Sequence, residues 1–98
     1  MYTVSGLNEK VRITIEKALG LVWIQGEISN LARPNSGHIY FSLKDNASQV
    51  RCAMFRAQVS RVKFRPENGD LVTLRAKVSL YPARGDYQLI IESMEASG

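Results

Sequence analysis

Val22-Trp23-Ile24-Gln25-Gly26-Glu27-Ile28-Ser29 alternates in character with a period of two, as a half-buried strand does. Val22, Ile24 and Ile28 fall on one side, and Gly26 falls on that same side in mid-strand. A glycine there permits a bulge or a sharp bend. Small barrels need such a bend in a strand that serves both halves of the wall. The segment therefore predicts a bent first strand, and the rest of the chain can be read against it.

Upstream, the period lengthens. Leu7, Val11, Ile15, Ala18 and Leu19 share one face at 3.6-residue spacing, which predicts a helix with Ser5 as N-cap and Gly20 at its stop. Downstream, Arg33-Pro34-Asn35-Ser36-Gly37 is a turn cluster. A second strand follows from His38 to Lys44, with Ile39, Phe41 and Leu43 inward and His38, Tyr40, Ser42 and Lys44 outward. Asp45-Asn46-Ala47-Ser48 makes a tight turn, so a third strand, Gln49 to Arg56, should pair antiparallel with the second. Val50, Cys52 and Met54 lie on one side of it, and Arg51, Ala53 and Phe55 on the other. Residues 57–64 allow one or two helical turns. A long fourth strand runs from Leu71 to Tyr81, and a fifth from Tyr87 to Met94 across the turn Pro82-Ala83-Arg84-Gly85-Asp86.

Five short strands at even spacing, one of them bent, predict a mainly β fold: a closed or nearly closed five-stranded antiparallel barrel. It carries an N-terminal α-helix and room for a short helix between strands three and four. An open sheet with the helix on one face is the alternative. Residues 1–20 read as a helical extension and 21–98 as the barrel domain.

The chain has 98 residues and 45% apolar side chains, enough for one modest core without a metal or disulfide staple. Its single cysteine forbids an intrachain disulfide and suits a reducing compartment, so a cytoplasmic location is expected. No apolar run approaches the roughly 18–20 residues that span a bilayer, and no membrane is expected as a partner. The start lacks the basic and apolar regions of a signal peptide. Net charge is +4. Residues 33–65 hold Arg33, Lys44, Arg51, Arg56, Arg61, Lys63 and Arg65 against Asp45 alone. Such asymmetry suits a polyanion-facing surface, or a solvated basic face with no partner.

The pattern argues against a self-contained enzyme, and no catalytic residue, metal ligand or cofactor is expected. His38 is the only histidine, and Cys52 sits at an inward, apolar position. No pair of acidic residues among Glu27, Asp45, Asp70, Asp86 and Glu92 is placed by spacing for acid/base or two-metal chemistry, and the glycines are isolated, with no phosphate-cradling loop.

A binding surface is better supported. Tyr40, Phe55, His38, Lys44, Arg51 and Arg56 gather on strands two and three. Unpaired bases present π-faces on which aromatic rings stack, and phosphates need cations along the track. Phe55-Arg56 can hold one nucleotide by base and phosphate together, unless Phe55 packs under the helix that follows. Arg75 on strand four extends the basic track or keeps that surface soluble. Arg84 flanks the last turn with Tyr87, where a loop could clamp a strand. Trp23, opposite in direction to Ile24, is expected to pack against the N-terminal helix.

Several stretches in this order carry a family resemblance. They are Tyr2-Thr3-Val4-Ser5 with Leu7-Asn8, Val22-Trp23-Ile24 through Gly26-Glu27-Ile28-Ser29-Asn30, and Ser36-Gly37-His38 with Tyr40-Phe41. Leu43-Lys44-Asp45, Gln49-Val50-Arg51-Cys52-Ala53-Met54-Phe55-Arg56, Arg84-Gly85-Asp86-Tyr87-Gln88 and Glu92-Ser93-Met94 complete the set. With them the chain resembles the N-terminal domain of the large subunit of bacterial exodeoxyribonuclease VII. The resemblance implies an OB fold preceded by a helix, and a role in holding single-stranded DNA. The nuclease implied degrades single strands to oligonucleotides without needing a divalent metal. Its catalysis is assigned to a following domain, and a long helical region binds the small subunits. Phe55 and Arg56 match the family's aromatic-arginine pair. Two other readings stay open. One is a protein-interaction OB domain docking on other parts of the nuclease; the other is an anticodon-type RNA-binding domain, which would prefer ribose oligonucleotides.

Overall fold

A computed structural model describes residues 1–97. The elements run α1 (Val4–Leu19), β1 (Leu21–Ala32), β2 (Ile39–Lys44), β3 (Gln49–Met54), α2 (Arg56–Val59), β4 (Leu71–Tyr81) and β5 (Asp86–Ala96). The strands close into a barrel in the order β1-β2-β3-β5-β4.

The bend in β1 is where the sequence places it. Residues Leu21–Glu27 pair with β4, and from Glu27 onward the strand pairs with β2. Gly26 sits at this change of partner and is buried. A methyl added there would meet Leu43 Cγ at 2.8 Å and the carbonyl oxygen of Lys44 at 2.9 Å. The absent side chain is what lets β1 cross against β2.

The barrel is not antiparallel throughout. β3 and β5 run parallel through Cys52↔Leu89 and Ala53↔Ile90. The reason is topological: strand direction cannot alternate all the way round a closed ring of five, so one neighbouring pair must be parallel.

Inward positions fill the core as their alternation demands. Phe41, Ile28, Met54, Leu74, Ile91 and Val72 are fully buried. Ser42, expected to face outward into solvent, is buried as well; the Arg51 guanidinium donates to its hydroxyl at 3.0 Å. One end of the barrel is plugged by Val59, Val62 and Phe64, which pack against the core. The helical stretch expected over 57–64 is confined to the single turn of α2.

The N-cap of α1 is Thr3, not Ser5: the Thr3 backbone is extended, and its hydroxyl accepts from the Gly6 N–H at 2.9 Å. Gly20 ends the helix at φ 57° as expected. The apolar stripe docks only shallowly. Ile15 packs against the core, whereas Leu7 and Leu19 stay exposed. The helix is held to β4 largely by Glu16, whose carboxylate accepts from Ser79 Oγ at 2.7 Å and pairs with Lys77 Nζ at 3.1 Å. Arg12 Nη1 reaches the same carboxylate at 3.0 Å. The Ser79 hydroxyl, then Lys77 and Arg12, hold Glu16 down at a pKa of about 2. Among the described residues no helix is long and apolar enough to cross a membrane.

Candidate nucleic-acid interface

Outward side chains of β2, β3 and β5 line an open groove of about 530 Å³, walled at one end by the β4–β5 hairpin. Its floor follows from register. Tyr40 lies opposite Ala53, and Ala53 opposite Ile90, so a small residue sits between two larger ones. Arg51 rises beside them, and Phe55 closes one end. The hairpin contributes Tyr81, Arg84, Asp86 and Tyr87. Three of the four tyrosines of the chain thus converge on one groove with Phe55 and two arginines.

Phe55 lies one residue past β3 rather than inside it. Its backbone is extended, and it serves as N-cap residue of α2, the residue as a whole 44% exposed. The ring therefore does not pack under the helix that follows. His38 fixes this corner in two ways: its Nδ1 accepts the Arg56 backbone N–H at 2.9 Å, and its ring meets the Phe55 ring edge-to-face at 5.3 Å. Because Nδ1 must accept, it carries no proton in this arrangement. The Arg56 stem lies over Gly37, where an added methyl would meet its Cγ and Cδ at 3.0 Å. His38 thus positions the aromatic-arginine pair and does not itself line the groove.

Arg56 follows Phe55 without lining the groove, and two further expected site residues lie elsewhere. Lys44 is paired with Glu27 at 3.5 Å, beyond the groove. Arg75 lies on the β1–β4 wall with its guanidinium 5.9 Å from the centre of the Trp23 ring. Trp23, expected to pack on α1, is 64% exposed instead. The outward direction of Trp23 and Arg75 follows from strand parity, but which wall they occupy depends on which strands become neighbours. Tyr87, expected with Arg84 beside the last turn, lines the groove, as do residues not singled out from the sequence: Tyr81, Asp86, Gln88, Ile90 and Ala53. Tyr81 carried a signal, since it is outward by parity and ends β4 beside the turn.

The hairpin wall is fixed. Arg84 N and Gly85 N both donate to the Tyr81 carbonyl, at 3.1 and 2.8 Å. From α1, Asn8 Nδ2 donates to the Pro82 carbonyl at 2.8 Å. The helix therefore acts as a strut for one side of the groove. Cys52 faces the core, and burial pushes its thiol up to about 12, so it is inert packing rather than a nucleophile. Among the described residues no three His, Cys, Asp or Glu side chains converge as a metal site would require.

Comparison with known proteins agrees with this architecture. A family described as OB-fold nucleic acid binding domain matches residues 2–95. The chain is 57% identical over its full length to the exodeoxyribonuclease 7 large subunit of Enterobacter sp. (strain 638). It is 56% identical to those of Klebsiella pneumoniae subsp. pneumoniae and Photobacterium profundum. It spans only about a fifth of the length of these relatives, 21–22%. Among solved structures, a replication protein A heterotrimer bound to ssDNA superposes with a TM-score of 0.65 at 14% identity, covering 82% of this chain and 59% of that one. A putative aspartyl-tRNA synthetase from Leishmania major Friedlin gives 0.59 at 12% identity, covering 79% and 17%. At such identities these two speak for the fold alone. With the helix, the bent β1 and the closed five-stranded ring all inside the matched span, the chain belongs to the family of OB-fold nucleic acid binding domains.

Proposed function

We propose that this chain is the substrate-holding domain of an exodeoxyribonuclease 7 large subunit and that it grips single-stranded DNA in the β2–β3–β5 groove. The observation that carries the reading is the convergence of Tyr40, Phe55, Tyr81 and Tyr87 with Arg51 and Arg84. Aromatic faces need unstacked bases, which a duplex does not offer, so the groove selects single strands. Each stacked base contributes roughly 1–3 kcal/mol, and the guanidiniums neutralise the phosphates between them. Arg56, held beside Phe55 by His38, adds a third cation just past the Phe55 end of the groove. Fluorescence-anisotropy titration with single- and double-stranded oligonucleotides tests this. Tight binding of the single strand, lost in a folded Phe55→Ala, Arg51→Ala double variant, is the expected result. Equal affinity for duplex, or no loss in the variant, would move the site off this groove.

A second reading, docking on other parts of the nuclease, is favoured by a different wall. Trp23 on β1 is exposed beside Arg75, and Leu21, two residues back on the same face of the strand, is exposed as well. Trp and Arg are the residue types that most often dominate protein interfaces. A Trp23→Ala change that weakens association with the rest of the large subunit, while leaving DNA affinity intact, is the result this reading expects.

A further inference from the structure

The chain has three aspartates, each in or beside a turn, and two of them bond to backbone groups. Asp45 accepts the N–H groups of Ala47 and Ser48, both at 2.9 Å. Asp70 accepts the Glu67 N–H at 2.9 Å. Asp86 does neither. The β4–β5 turn closes on the Tyr81 carbonyl without it. Among the described residues no Lys, Arg or His nitrogen comes within 4.0 Å of its carboxylate. Among the described residues it is the only carboxylate lining the groove, beside Arg84 and Gln88. An unpaired anion is out of place in a track for phosphates unless it meets a different part of the ligand.

We infer that Asp86 reads a base edge, so that the groove favours bases presenting an amino group, such as cytosine, over thymine. The inference rests on the proposed function above. An ionised carboxylate only accepts hydrogen bonds. It repels phosphate, which places the sugar-phosphate chain toward Arg51 on β3 and turns the base toward Asp86. Cytosine offers the N4 amino donor that Asp and Glu accept from. Thymine presents carbonyl oxygens on both sides of its single N–H, and these repel the carboxylate. Gln88 lies two residues along β5, on the same outward side, and its amide can donate to the ring nitrogen or carbonyl of the same cytosine. The wall is fixed by the bond from Asn8 to Pro82, so it can discriminate rather than adapt.

The test is an anisotropy titration of the chain with oligodeoxycytidine and oligodeoxythymidine of about twelve nucleotides, within the site size of one such fold. The wild-type chain should bind the cytidine strand about 10-fold tighter, within the range a bidentate base contact supports. Asp86→Asn should bring the two affinities within about 2-fold of each other by this reasoning, mainly through tighter thymidine binding. Equal wild-type affinities, or an Asp86→Asn change that shifts both strands by one common factor, overturns the inference and leaves the substrate-holding function standing. A preference for ribose over deoxyribose cytidine that vanishes in the variant would assign the carboxylate to the 2′-hydroxyl and also overturn it. Failure of the wild-type chain to bind either strand at low salt would remove the proposed function itself, and this inference with it.

Discussion

Neutralising Arg51 should flatten the salt dependence of single-strand binding, and neutralising Arg75 should not. Arg51 and Arg84 line the groove, and Arg56 follows Phe55 at its end. For single strands, log affinity falls against log salt with a slope of about −0.7 per neutralised phosphate, so three cations give about −2.1. Raising salt from about 50 to 200 mM then weakens the wild-type complex roughly 18-fold. With Arg51→Ala two cations remain, the slope falls to about −1.4, and the same step costs roughly 7-fold. Arg75 sits over Trp23 on the β1–β4 wall, so Arg75→Ala should keep the wild-type slope. Lys44→Ala should also keep it, since Lys44 is paired with Glu27 outside the groove. The assay is anisotropy with a labelled oligonucleotide at several salt concentrations, with thermal melts to show that each variant is folded. If Arg75→Ala flattens the slope as much as Arg51→Ala, the strand does not run where the groove places it. A wild-type slope near zero would remove the electrostatic argument altogether.

Gly26→Ala should destabilise the barrel by about 1–3 kcal/mol, because its methyl would meet a backbone carbonyl that cannot step aside. Thermal unfolding should show a loss of roughly 4–20 °C, and an unchanged midpoint would mean that β1 and β2 separate freely at the bend. Glu16 has its folded pKa depressed to about 2, from an ordinary 4.5. The stabilisation it contributes is therefore present above about 4.5 and lost as pH falls toward 2. Glu16→Gln should lower the melting temperature at pH 7, and the gap from wild type should shrink steadily between pH 5 and pH 2 as estimated from that linkage. A gap independent of pH would show that the carboxylate is not what ties α1 to β4. Cys52, buried with its thiol pushed up to about 12, should resist alkylation at mildly basic pH in the folded chain and react once the chain is unfolded. Labelling of the native protein at the free-thiol rate would contradict its place in the core.

Much of the fold was legible because it rests on local pattern. Alternation along Ile39, Phe41 and Leu43, and along Val72, Leu74 and Ala76, marks the inner face, and all six are buried. Gly26 on the apolar side of β1 marks the bend, and β4 spans Leu71–Tyr81 as its alternation predicts. Boundaries set by competing local bonds were less legible. Thr3 and Ser5 can both cap a helix, and only the chain geometry selects Thr3. Phe55 continues the strand pattern, yet its backbone ends the strand to begin α2.

The sequence by itself determined the strand count, the inner and outer faces and the basic middle third, because each depends on side chains at fixed spacing along one element. Only the tertiary structure decided which outer faces meet. Ring closure forces β3 beside β5, which brings the β4–β5 hairpin over Tyr40 and Ala53 and adds Tyr81, Asp86 and Tyr87 to the groove. The same closure sends Arg75 and Trp23 to the β1–β4 wall. Parity says that a side chain points outward, but strand order sets its neighbours, and strand order is fixed by contacts between residues far apart in the chain.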